Sequence, residues 1–136
     1  MRSTKFIAAI VIASFLFVSA AFALHEEIPR ISVAELKKMI DTNAPVYVID
    51  AQSKETYDKG HIKGAHSLPW KSEITPGDVE NLPKDVLIVT YCDCGPGEND
   101  SADTAYQLIN LGYPNVKILA DPAIKEWKKL GYPMEK

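Results

Sequence analysis

Two residues with covalent chemistry stand one position apart: Cys92 and Cys94, the only cysteines of the chain. They follow an apolar run, VLIVTY over 86–91, and open a polar segment that carries Gly95, Pro96 and Gly97. The reactive form of cysteine is the thiolate. A free thiol with a pKa of about 8.5 is mostly protonated at neutral pH unless a cation or a helix N-terminus stabilises the anion. The run 86–91 has the length and β-branched content of a strand buried on both faces. From Ser101 onward, Ala102, Ala105, Tyr106, Leu108, Ile109 and Leu111 recur at helical spacing until Gly112, a C-terminal stop. Cys92 therefore lies between a strand end and a helix start, where open α/β sheets bind ligands and a helix presents unpaired N–H groups to an anion. Residues 93–100 (Asp93, Cys94, Gly95, Pro96, Gly97, Glu98, Asn99 and Asp100) are expected to form a loop whose backbone N–H groups make an anion nest, with the two glycines supplying the backbone freedom.

A disulfide is the default for two cysteines in an exported protein. The spacing argues against a structural one, because a bridge across a single residue closes a tiny loop and removes little unfolded-state entropy. Such a bond is expected to be labile and redox-active. One intervening residue is also unlike the usual zinc spacing, so neither a metal nor a cofactor is expected.

The elements that must position this loop read as alternating strands and helices. Ser32 and Glu35 form a capping box before a helix over about 33–41, with Leu36, Met39 and Ile40 facing inward. The run 46–50 is a strand that delivers Asp50 to its C-terminal end. A short helix over 53–59, a brief strand over 64–68 and a short helix opened by Thr75-Pro76 and closed by Pro83 precede the run 86–91. Val116 to Leu119 makes a last strand. A final helix starts at Asp121-Pro122 and carries Ile124, Trp127 and Leu130 on one face. This order predicts one α/β domain over 24–136, doubly wound, with a mostly parallel sheet and helices on both faces. Trp70, Trp127 and Tyr132 are expected to pack in the core or at its edge. Lys125, Lys128 and Lys129 are expected on the solvated face of the last helix.

Residues 1–23 carry Arg2 and Lys5 before an apolar run and end in Ala21-Phe22-Ala23, the layout of a secretory signal peptide cleaved after Ala23. Left uncleaved, the run is nearly long enough to anchor the chain in a membrane. Either way the domain is expected outside the cytoplasm, in a bacterial periplasm. The formal charge is −3 and becomes two units more negative without Arg2 and Lys5, which argues against nucleic acid as a partner.

The segment Tyr57, His61-Ile62, Gly64-Ala65 and Leu68 resembles the N-terminal signature of the rhodanese-like family, in its small exported single-domain form. Asp50 at a strand end, Tyr91-Cys92, the helix up to Gly112 and the ending Trp127, Gly131-Tyr132-Pro133 are similar to that family as well. The resemblance implies a sulfurtransferase. Its cysteine, here Cys92, takes a sulfane sulfur from a small donor, holds it as a persulfide, and passes it to a thiol or other nucleophilic acceptor. Asp50, His61 and Gly64 would then be supporting residues, with His61 a hydrogen-bonded structural histidine rather than a proton shuttle.

The loop departs from the family pattern. Relatives acting on thiosulfate usually carry a basic residue before the serine that begins the helix, whereas here Asp100 precedes Ser101, and Asp93 and Glu98 add negative charge. The related phosphatases need an arginine after the cysteine, and none follows Arg30. Gln52 stands where many relatives have arginine. Sulfur transfer from a donor other than thiosulfate is the leading expectation, with Cys94 able to act as a resolving thiol. The alternatives are a thiol redox or sensing domain that cycles the Cys92–Cys94 pair, and a rhodanese-fold binding module without turnover.

Overall fold

The computed structural model describes residues 27–136, so the expected signal peptide and its cleavage site lie outside the described residues. The elements, in chain order, are β1 (Arg30–Ile31), α1 (Val33–Asp41), β2 (Val46–Asp50), α2 (Lys54–Lys59), β3 (His61–Ile62), β4 (His66–Ser67), a 3-10 turn (Pro76–Asp78), β5 (Leu87–Tyr91), α3 (Asn99–Asn110), β6 (Val116–Leu119), α4 (Ile124–Lys129) and β7 (Met134–Glu135). Five strands form one sheet in the order β1-β6-β5-β2-β4, with every neighbouring pair parallel. Since β2 and β5 are adjacent and in register from Val46↔Leu87 to Asp50↔Tyr91, Asp50 and Cys92 arrive at the same edge of the sheet.

Successive strand residues point to opposite faces, and both faces are apolar. Val48, Val89 and Leu119 pack with Leu36 of α1 and with Ile124 and Trp127 of α4. Ile49, Ile88 and Ile118 pack with Ala105 and Leu108 of α3 and with Ile74 and Val79. The expected doubly wound α/β fold is thus the one adopted. At the start of α1 the Ser32 hydroxyl accepts from the Glu35 N–H (3.2 Å), and Glu35 Oε2 accepts in return from the Ser32 N–H (3.0 Å).

Several elements differ from the sequence reading. The polar lead-in ends in β1, an edge strand held by its pairing to β6. The strand expected over 64–68 shrinks to His66–Ser67, and His61–Ile62 instead pairs antiparallel with β7. Two-residue strands carry no periodicity, so only the tertiary pairing reveals them. The segment after Thr75 forms a single 3-10 turn that ends well before Pro83, capped reciprocally by Thr75 and Asp78. Helix α4 stops at Lys129, which leaves Leu130 at its C-cap, exposed, while Ile124 and Trp127 are buried. Trp70 is also exposed rather than in the core.

Trp127 joins the core to the C-terminal segment. Its ring is buried, its Nε1–H donates to the Pro133 carbonyl (2.9 Å), and Tyr132 packs edge-on against it. Trp127→Ala is expected to cost about 3–5 kcal/mol in urea unfolding, combining lost burial with the cavity left behind.

Candidate functional site

Cys92 follows β5 directly and is buried, at 4% exposure; Cys94 is half-buried. The structure bonds the two sulfurs as a disulfide, with Cα atoms 5.5 Å apart, inside the usual span for such a bond. Cys92 Sγ lies 3.4 Å from Ser101 Oγ, whose hydroxyl donates to the Glu98 carbonyl (3.0 Å). The Thr90 hydroxyl donates to the Ser101 carbonyl (2.9 Å), tying the strand end to the helix start.

Helix α3 begins at Asn99, two residues earlier than its apolar periodicity indicates, so the loop is 93–98 rather than 93–100. Asn99, Asp100 and Ser101 form its first turn, whose N–H groups have no acceptor within the helix. Asp100 therefore sits beside the positive end of a helix dipole, a favourable place for a carboxylate. Ser101, in the same turn, brings the positive end of the helix beside Cys92.

Glu98, the N-cap, adopts a left-handed backbone (φ 50°), which costs a side-chain-bearing residue on the order of 1–2 kcal/mol. Its carboxylate compensates. Oε2 accepts from Arg30 Nε (2.8 Å) and Oε1 from the Asp121 N–H (2.6 Å), with the Glu98 side chain 6% and the Arg30 side chain 44% exposed. One loop residue is thereby fastened to β1 and to the turn between β6 and α4. Asp93 is paired as well, with Lys125 Nζ at 3.0 Å, so Lys125 is not simply a solvated residue of α4. Two of the three loop acids that sequence alone reads as unopposed charge are thus neutralised from elsewhere in the fold.

Asp50 is fully buried beside this edge. Its carboxylate accepts from the Tyr91 hydroxyl (2.6 Å), from the Gln52 N–H (2.8 Å), and from the Gln52 side-chain amide nitrogen, 3.0 Å from each oxygen. Gln52 thus supplies both a backbone and a side-chain donor to Asp50. The Tyr91 hydroxyl in turn accepts from the Ile62 N–H (3.1 Å). Burial, reinforced by the Asp50 carboxylate, pushes the Tyr91 hydroxyl above the ordinary tyrosine range.

His61 and Gly64 lie away from the loop, in the support of the C-terminus. The buried His61 ring stacks on Tyr57, with Nδ1 3.0 Å from the Tyr57 carbonyl and Nε2 3.4 Å from Glu135 Oε1. Gly64 N–H donates to Glu135 (2.8 Å), which with His61 holds that carboxyl below its usual range. Beside Asp93 opens a cleft of about 460 Å³ lined by Gln52, Thr56, Lys59 and Lys128 among others. A larger cleft, about 630 Å³, lies at the opposite edge of the sheet near Leu87 and Val116 and carries no cysteine.

A model of the rhodanese-like domain matches residues 32–130. The chain belongs to the rhodanese-like domain family. Among solved structures, the BH2092 protein of Bacillus halodurans is 30% identical, with a TM-score of 0.71 over 79% of this chain and 76% of that one. The rhodanese-like domain of the Alr3790 protein of Anabaena is 25% identical, with a TM-score of 0.67 over 79% and 78%. A thiosulfate sulfurtransferase of Pseudomonas aeruginosa shares the fold at 22% identity, with a TM-score of 0.63 over 79% of this chain and 20% of that one. A TBC domain-containing protein kinase-like protein of Gallus gallus is 28% identical over 109 residues, 76% of this chain. The chain spans only 12% of that relative's length. Within this rhodanese domain the sequence reading missed the anchoring by Arg30, Lys125 and Gln52. The lone arginine after residue 2 was the one available signal.

Arg30→Ala leaves the Glu98 carboxylate buried without its cation. A loss of about 2 kcal/mol in urea unfolding is expected, less than for a fully buried pair because Arg30 is part-exposed, along with faster amide exchange over 93–98. Tyr91→Phe removes a donor from buried Asp50 and an acceptor from Ile62, costing about 1–3 kcal/mol at neutral pH. The folded state holds the Tyr91 proton more tightly than the unfolded chain. Its contribution is therefore complete below about pH 10 and is lost as the pH rises further. The stability of the Phe variant should accordingly fall less steeply above that pH.

Proposed function

We propose that this rhodanese domain is a sulfurtransferase in which Cys92 accepts sulfane sulfur from a persulfide or polysulfide donor and passes it to a thiol or other nucleophile. The observation that carries the reading is the seat of Cys92: a buried sulfur at the end of β5, 3.4 Å from Ser101 Oγ and beside the first turn of α3. A helix N-terminus favours the thiolate. Donor choice follows from charge. Arg30 and Lys125 are each engaged with a loop carboxylate, which leaves the loop close to neutral and suited to a donor of low charge rather than to dianionic thiosulfate. The cleft beside Asp93 offers room for the body of such a donor. Export, as the leader-like segment predicts, would place this chemistry in a periplasm.

A second reading, a thiol redox domain, is favoured by one observation, the Cys92–Cys94 bond itself. Turnover separates the two. With glutathione persulfide as donor and excess thiol as acceptor, the wild type should transfer sulfur, and Cys92→Ser should lose about a thousandfold or more in rate. Thiosulfate should be the poorer donor. Equal transfer by wild type and Cys92→Ser would rule the assignment out, and redox cycling of the pair without any uptake of donor sulfur would favour the second reading.

A further inference from the structure

Resting on Cys92 as the sulfur acceptor, we infer that Cys94 discharges the Cys92 persulfide within the same loop, so that the domain releases hydrosulfide from sulfane sulfur and is left as the Cys92–Cys94 disulfide. The two sulfurs meet in the structure, and no cysteine is left free among the described residues. Asp93, the residue between them, is tied to α4 through Lys125, and the loop beyond is fastened through Glu98 to Arg30 and Asp121. The two thiols are thereby held on a short, anchored segment. An attack by Cys94 is intramolecular and outruns a dilute external acceptor. Cys94 is also the more exposed of the pair, so in the disulfide it is the sulfur that an external thiolate reaches first, which releases the Cys92 thiolate.

The electron and atom balance is complete. The Cys92 thiolate attacks the outer sulfur of the donor RSSH. The donor S–S bond breaks, RS⁻ leaves, and Cys92 carries S–SH. The Cys94 thiolate then attacks Cys92 Sγ, the bond from Sγ to the outer sulfur breaks, and HS⁻ leaves with that bond's electron pair. The product is the Cys92–Cys94 disulfide, and the transferred sulfur has been reduced by the two cysteine thiols. An external dithiol, or two monothiols, restores the pair by thiol–disulfide exchange and is itself oxidised to a disulfide. Per cycle, RSSH and a dithiol become RSH, hydrogen sulfide and a disulfide. While the bond is closed, Cys92 is also shielded from irreversible over-oxidation.

Single-turnover mass spectrometry with sulfide quantification tests this. The purified protein is reduced, freed of reductant, and exposed to glutathione persulfide or cysteine persulfide with no acceptor. Wild type should release one equivalent of sulfide above a protein-free control and lose the mass of two hydrogens. Cys94→Ser and Cys94→Ala should release none and retain the mass of one added sulfur, which Cys92→Ser lacks. If the Cys94 variants hold the added sulfur and wild type holds it equally without releasing sulfide, the discharge step is overturned while Cys92 stands as the acceptor. If the Cys94 variants take up no sulfur from either donor, sulfur acceptance by Cys92 fails, and the discharge step fails with it.

Discussion

The Glu98 carboxylate is the interaction on which the geometry of the cysteine loop depends. It is buried, it belongs to a residue whose backbone lies in the left-handed region, and it is satisfied only by groups from distant parts of the chain: Arg30 on the edge strand and the Asp121 N–H ahead of α4. A buried carboxylate without such partners would cost several kcal/mol, so the three segments are held together or not at all. Because Glu98 is also the N-cap of α3, its position sets where the helix starts and which N–H groups stand beside Cys92. The Glu98 carbonyl accepts from both the Ala102 N–H and the Ser101 hydroxyl, which extends the same constraint to the side chain 3.4 Å from the Cys92 sulfur.

A second buried carboxylate organises the floor of the site. Asp50 takes donors from Tyr91 and Gln52, and the Tyr91 hydroxyl reaches on to the Ile62 backbone. The strand end that presents Cys92 is thus fixed from beneath by a polar network and from above by the Glu98 anchor. The network satisfies Asp50 with neutral donors, whereas the Asp93 and Glu98 carboxylates are offset by cations on other elements. Those two pairs leave the loop 93–98 close to neutral, even though it is rich in acidic residues.

How much of this is legible without the structure depends on the range of each interaction. The capping box of Ser32 and Glu35, the apolar runs of β2 and β5, and the periodicity of α3 are local patterns, and the corresponding elements formed there, with α3 starting two residues earlier than its periodicity indicates. The two-residue strands β1, β3, β4 and β7 exist only through pairing with partners brought near by the fold. The same holds for the ion pairs. Glu98 and Arg30 are 68 residues apart, and nothing in the spacing of either links them.

The sequence alone determined the α/β class, the family resemblance, the place of Cys92 between a strand and a helix, and the closeness of Cys94, because periodicity, capping and adjacency act over a few residues. The tertiary structure decided the electrostatics of that place. Whether Asp93 and Glu98 oppose a thiolate or stabilise the loop is a matter of what lies within hydrogen-bonding reach, and Lys125, Arg30 and the Asp121 N–H come within reach only once the sheet and its helices have closed around them.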